Sequence, residues 1–113
     1  MRKLFFVLIL SVLWGQSVLA EKLPTYISGN DLLGACESSA PDITFFCHGY
    51  IAGIVDTYSL YGENSKAICM PEGVPVSQLA LIVTKYLHQY PELLHETASY
   101  RVIYAMVNAF PCE

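Results

Sequence analysis

From Ile43 onward, apolar side chains return at three- and four-residue steps: Phe46, Cys47, Tyr50, Ile51, Ile54, Val55 and Tyr58. That period is the mark of a helix with one face turned to a core. Gly62-Glu63-Asn64-Ser65 stops the stripe, and Pro71, Gly73 and Pro75 keep the next stretch irregular. A second stripe opens at Val76 and Ser77, with Leu79, Ala80, Val83, Tyr86, Leu87 and Tyr90 on one side. Pro91 forces a break or kink because its ring nitrogen has no hydrogen to donate. Glu92 then falls in the first turn of the next helical segment, where a negative charge is favourable. A further helix runs to about Phe110, with Leu94, Ala98, Val102, Ala105, Met106 and Ala109 as its buried side, and Pro111-Cys112 ends it.

Upstream, after a short extended lead, Ser28-Gly29-Asn30-Asp31 offers capping side chains before Leu32, Leu33 and Cys36. The run Ser38 to Asp42 ends that helix and starts the long one, with Pro41 suited to a first helical position. The pattern predicts an all-α fold, a small four-helix bundle whose helices are mostly antiparallel. No internal repeat, low-complexity tract or flexible linker interrupts it.

The first twenty residues stand apart. Met1-Arg2-Lys3 is basic, Leu4 to Trp14 is apolar except for Ser11, and Val18-Leu19-Ala20 supplies the residues a signal peptidase needs. Eleven apolar residues are too few to cross a hydrocarbon layer about 30 Å thick, which takes roughly 20. Residues 1–20 are therefore expected to be a cleaved secretory signal of the Sec type, leaving residues 21–113 as one domain in the periplasm with no stable membrane anchor. An uncleaved anchor is the alternative reading of the same segment.

Charge changes the picture of possible partners. Removal of Arg2 and Lys3 leaves four basic against ten acidic residues, a formal charge of −6 on the mature domain. A nucleic-acid partner is not expected, since that needs a basic stripe. A domain of this size is marginal on apolar burial alone and calls for covalent help. Cys36, Cys47, Cys69 and Cys112 form an even set in an exported chain, which reads as two disulfides. A zinc site is less fitting, because no Cys-x-x-Cys knuckle is present, and no cysteine is left over as a catalytic thiol. Spacing alone leaves three pairings open. Antiparallel helix order narrows them: Cys36 and Cys47 fall at one end of the bundle and Cys69 and Cys112 at the other. The expected bridges are Cys36–Cys47 and Cys69–Cys112, since bridged Cα atoms lie within about 7 Å.

Candidate chemistry is sparse. Gly49 and Gly53 lie one turn apart in the long helix, where each glycine costs about 1 kcal/mol relative to alanine. Close approach of a neighbouring helix is the expected compensation; a shallow groove at a dimer or partner interface is the sharper alternative. Asp56 has no histidine or second carboxylate at helical spacing, and His48, His88 and His95 form no His-x-x-x-His pair. With no nucleophile elbow, phosphate loop or dinucleotide fingerprint, no enzymatic activity, metal or cofactor is expected. Tyr50, Tyr58, Tyr86, Tyr90, Tyr100 and Tyr104 fall on the helices, and tyrosines gathered on one exposed face mark a protein-binding surface.

The frame Phe46-Cys47-His48-Gly49-Tyr50-Ile51-Ala52-Gly53, Cys69-Met70-Pro71, Tyr86-Leu87 with Pro91 and His95, and Ala109-Phe110-Pro111-Cys112 resembles the Tai/Rap family. These are immunity proteins paired with peptidoglycan amidase effectors of bacterial type VI secretion. The resemblance extends from about Leu32 to Cys112. It implies a small all-helical periplasmic domain, commonly a homodimer, that binds a cognate amidase and blocks its active site. The matching positions are scaffold residues, whereas specificity in such proteins lies on exposed surface.

An inhibitor needs a rigid body and an insertable polar segment. Tyr61 to Lys66 is the longest polar stretch between helices, so Glu63, Asn64, Ser65 and Lys66 are candidate contacts, with Glu92 and Glu96 near the Pro91 break as a second acidic cluster. A periplasmic accessory or chaperone-like domain on the same scaffold, and a carrier of small lipids or an unrecognised enzyme, are the competing classes. Exposed apolar surface favours the former and a continuous apolar cavity the latter.

Overall fold

The computed structural model describes residues 25–62 and 65–113, so the segment expected to be a signal lies outside the described residues. Four helices make up the domain: α1 (Gly29–Cys36), α2 (Pro41–Tyr61), α3 (Val76–Gln89) and α4 (Ala98–Ala109). Short 3-10 turns span Ser65–Ala67 and Pro91–Leu93, and the described residues hold no β-strand.

Helix α1 starts in a reciprocal cap. The Asp31 amide donates to Ser28 Oγ at 3.2 Å, and the Ser28 amide donates to Asp31 Oδ2 at 2.9 Å. Two amides without helical partners are thereby satisfied. The Ser28 hydroxyl and amide, both donating to the Asp31 carboxylate, hold that carboxyl below its ordinary value.

The same end of α1 is stitched to the start of α4. Gly29 N–H donates to the Glu96 carbonyl, Asn30 N–H to the Leu94 carbonyl, and Ala98 N–H to the Ile27 carbonyl, at 2.9, 2.8 and 2.9 Å. Ser28 and Thr97 form an isolated antiparallel bridge at this seam. A Cβ on Gly29 would stand 3.0 Å from the Leu94 carbonyl oxygen, so glycine permits the contact. The seam also explains why α4 begins at Ala98 and not soon after Pro91. The Leu94 and Glu96 carbonyls accept from the α1 amides, and the Ala98 amide, which a continuing helix would give to Leu94, is given to Ile27 instead.

Leu32, Cys47, Ile51, Val83, Leu87, Val102 and Met106 form the fully buried centre. Burying a large aliphatic side chain is worth about 1.5–3 kcal/mol, an upper figure because unfolded chains are already partly compact. Helix α3 contributes Leu79, Ala80, Val83 and Leu87, and α4 contributes Ala98, Val102, Ala105 and Met106. Helix α2, though 21 residues long, fully buries only Cys47 and Ile51.

That economy overturns three expectations. Ile43 and Phe46, assigned to the core stripe, remain 40% and 43% exposed. Ala109 is exposed as well. Gly49 and Gly53 are exposed, and a Cβ built at either meets nothing within 4 Å, so no neighbouring helix of the chain approaches them. The reason is angular: each glycine follows a core residue, Cys47 or Ile51, by two positions, which places it about 200° around the helix.

Cys36 and Cys47 are bridged with Cα atoms 5.1 Å apart, tying the end of α1 to the second turn of α2. Cys69 and Cys112 are bridged at 5.0 Å, beside an antiparallel bridge between Ile68 and Pro111 and a 2.8 Å bond from Cys69 N–H to the Phe110 carbonyl. The segments before α3 and after α4 are thus fastened side by side.

Candidate partner-binding surface

Two surfaces differ from ordinary solvated helix faces. The first lies between α3 and α4. With Leu79, Val83 and Leu87 turned inward, α3 presents Lys85 and Gln89 outward and leaves Tyr86 half-buried at the edge. The ring of Tyr86 lies 4.7 Å from that of Tyr90, centroid to centroid, in a tilted pair. Across from them, α4 supplies Tyr104, Val107 and Asn108. Two adjoining hollows result, of about 190 and 350 Å³, which share Tyr86 and Asn108 as common walls. Lys85 and Gln89 line the smaller hollow, and Tyr90 and Tyr104 the larger.

Arg101 sits in the α4 face behind this groove and is only 7% exposed. Its Nη2 lies 2.8 Å from Glu96 Oε2, and its guanidinium carbon is 5.0 Å from the Tyr104 ring centroid. Its buried Nε has no hydrogen-bond partner among the described residues. A buried cation is costly unless paired, and here one carboxylate and one aromatic face supply the compensation. Burial raises the Tyr86 phenol above its ordinary value, opposed by the positive field of Arg101. The Tyr50 phenol is raised for the same main reason, opposed by the neighbouring Ser99 hydroxyl and amide.

The second surface is the outer face of α2. Phe45, Leu60 and Tyr61 are 74%, 73% and 81% exposed, and Phe46 flanks them. Between these large side chains run the open positions Gly49 and Gly53, giving a shallow trough bounded by apolar residues at both ends. A hollow of about 230 Å³ adjoins its C-terminal half, walled by Ile54, Tyr58 and Tyr61 of α2 and by Ile103 of α4. The packing expectation for the two glycines is therefore overturned, since nothing in the chain lies within 4 Å of a Cβ at either.

The polar segments singled out from sequence fare differently. Glu63 and Asn64 lie outside the described residues. Ser65 opens the 3-10 turn and Lys66 is exposed within it. Glu92 is exposed in the Pro91–Leu93 turn. Glu96 is not a free contact residue, because its carboxylate pairs with Arg101 and its carbonyl accepts from Gly29. His88 pairs with Glu37 across α3 and the end of α1. Among the described residues no three His, Cys, Asp or Glu side chains gather as metal ligands. No described helix is long and apolar enough to cross a membrane.

The profile of the Rap1a immunity proteins matches residues 28–112. The chain belongs to this family. No curated protein and no solved structure matches the chain significantly. The matched span opens on the Ser28 cap and closes on Cys112 of the second disulfide, so it takes in all four helices and both bridges. Rap1a immunity proteins act by binding a cognate effector, a task for exposed surface and not for a catalytic pocket. Sequence reasoning missed Arg101, Phe45, Leu60 and Lys85. The signal present for the first was a lone cation inside an otherwise apolar helical run, Ala98 to Ala109.

Proposed function

We propose that this immunity protein is exported to the periplasm through residues 1–20 and there, as a homodimer, binds and inhibits a peptidoglycan amidase effector of type VI secretion. The observation that carries the reading is the family match over the whole disulfide-stapled body. The amidase class rests on the resemblance carried by Phe46 to Gly53, Cys69-Met70-Pro71 and Phe110-Pro111-Cys112. Two cysteine bridges suit an oxidising compartment. The homodimer is supported by the exposed Phe45, Phe46, Leu60 and Tyr61 side chains of α2.

The test is a pull-down from periplasmic extract with the oxidised mature chain, followed by assay of any bound amidase on purified peptidoglycan. One stoichiometric amidase, inhibited on binding, is the expected result. The exposed α2 face also fits a chaperone-like accessory domain. That reading takes over if the extract yields many unfolded clients and no amidase.

A further inference from the structure

The α3–α4 groove is an electrostatic exception in this molecule. The described residues carry eight carboxylate side chains against three lysines and arginines, Lys66, Lys85 and Arg101. Two of those three stand at the groove, Lys85 on its rim and Arg101 behind it. The Arg101 charge is compensated by Glu96 and the Tyr104 ring, but Lys85 makes no ion pair among the described residues. Around Lys85 the lining is rich in neutral donors: the Gln89 and Asn108 amides and the Tyr86 phenol. The rest of the groove is aromatic, from Tyr90 and Tyr104.

We infer that this groove seats an acidic side chain, carried on an extended loop of the cognate effector. Lys85 pairs with the carboxylate, Asn108 and Gln89 donate hydrogen bonds, and the loop backbone lies across the Tyr86, Tyr90 and Tyr104 rings. Tyrosine suits such a surface because it buries a rigid apolar ring and keeps a hydrogen-bonding tip. A mature domain of formal charge −6 steers positively charged partners toward itself from a distance. A single carboxylate that must find Lys85, the unpaired lysine on the groove rim, then fixes how such a partner docks, and charge reads as specificity and register more than as raw affinity. The inference rests on the effector-binding function proposed for the chain.

The test has two arms. In the first, the isotope-labelled mature chain is titrated with acetyl-Ala-Glu-Ala-amide and, separately, acetyl-Ala-Gln-Ala-amide, followed by NMR. We expect the Glu peptide alone to shift the resonances of Lys85, Tyr86 and Asn108, with a dissociation constant no tighter than roughly millimolar, since one exposed charge pair adds little affinity. The effect should vanish in Lys85→Gln, whose thermal unfolding should match the parent because Lys85 is exposed. Equal shifts from both peptides, no shifts, or shifts on α2 overturn the inference.

In the second arm, binding of the purified amidase is compared for the parent, Lys85→Glu, Tyr90→Ala and Phe45→Ser. Losses of about tenfold or more for the two groove variants, with Phe45→Ser close to the parent, support the inference. Groove variants that bind the amidase like the parent overturn it. A parent that binds no amidase, alongside a specific Glu-peptide shift, rejects the immunity reading and leaves the groove as a carboxylate seat.

Discussion

The seam between α1 and α4 and the outer face of α2 use the same residue type in opposite ways. At the seam, a Cβ on Gly29 would stand only 3.0 Å from the Leu94 carbonyl oxygen, and three backbone hydrogen bonds cross the joint. On α2, Gly49 and Gly53 face open space within the chain, flanked by Phe45, Phe46 and Leu60. A missing side chain is thus the answer to a neighbour in one case and an opening in the other. The long, strongly apolar helix holds the open pair. The short capped helix holds the packed glycine, at a position that spacing rules did not single out.

Covalent fastening is where this contrast can be broken hardest. Chain-entropy estimates put the Cys69–Cys112 bridge at about 4 kcal/mol and Cys36–Cys47 at about 3 kcal/mol, as model-dependent upper values. Cys112→Ser with Cys69→Ser should lower the free energy of unfolding in urea more than the Cys36→Ser, Cys47→Ser pair does. A smaller loss from the longer loop would mean that the Cys69 N–H to Phe110 bond and the Ile68–Pro111 bridge hold that joint unaided.

Next in size is Gly29→Ala. Its new methyl meets backbone, which cannot swing aside, so destabilisation of about 1–3 kcal/mol is expected from urea titration. The matching change on α2, Gly53→Ala, should raise the stability of the isolated chain by about 0.5–1 kcal/mol, the helix-propensity difference, because nothing in the chain resists it. Gly53→Leu should leave the monomer folded and shift the solution mass from dimer to monomer in sedimentation. If Gly53→Leu unfolds the chain, the trough is not open and the comparison collapses.

The smallest effect concerns the Ser28–Asp31 cap. The Asp31 carboxyl is lowered in the folded chain, so the unfolded chain binds its proton first as the pH falls. The cap's contribution is therefore present above the ordinary carboxylate range near pH 4 and is lost as pH drops through the lower folded value. Thermal unfolding of Ser28→Ala should show a shallower decline than the parent as the pH falls below the ordinary carboxylate range. Parallel pH profiles would remove the cap from the acid response.

Much of the architecture was legible because it rests on local rules. The Ser28 cap, the Pro41 start, the Gly62 stop and the break at Pro91 each follow from one or two residues, and the structure places a boundary at each. Periodicity located the helices but overestimated how wide a face α2 buries. Ile43, Phe46 and Ala109 fit the period and remain exposed, since period does not say how many neighbours a helix will meet. The start of α4 was out of reach for a different reason. It depends on carbonyls captured by α1, more than sixty positions earlier in the chain. The candidate surface was the least legible. Tyr86, Tyr90 and Tyr104 stand out in the sequence only as three of six helix tyrosines; their convergence around one groove, and the buried Arg101 behind it, arise only when α3 and α4 pack.

The order of the two bridges bears on how the molecule is made. Cys36 joins Cys47 and Cys69 joins Cys112, so each cysteine pairs with its neighbour in chain order and the loops neither nest nor cross. Wherever thiols are oxidised in the order in which they emerge from a translocation pore, the first two to arrive are already the right partners. The second pair is then the only one left. Such a chain reaches its finished connectivity without a shuffling step by an isomerase, a step that otherwise runs from seconds to hours. An oxidase acting in sequence is sufficient. If an immunity protein is exported as proposed, it gains from that, because its readiness is then limited by export and not by repair.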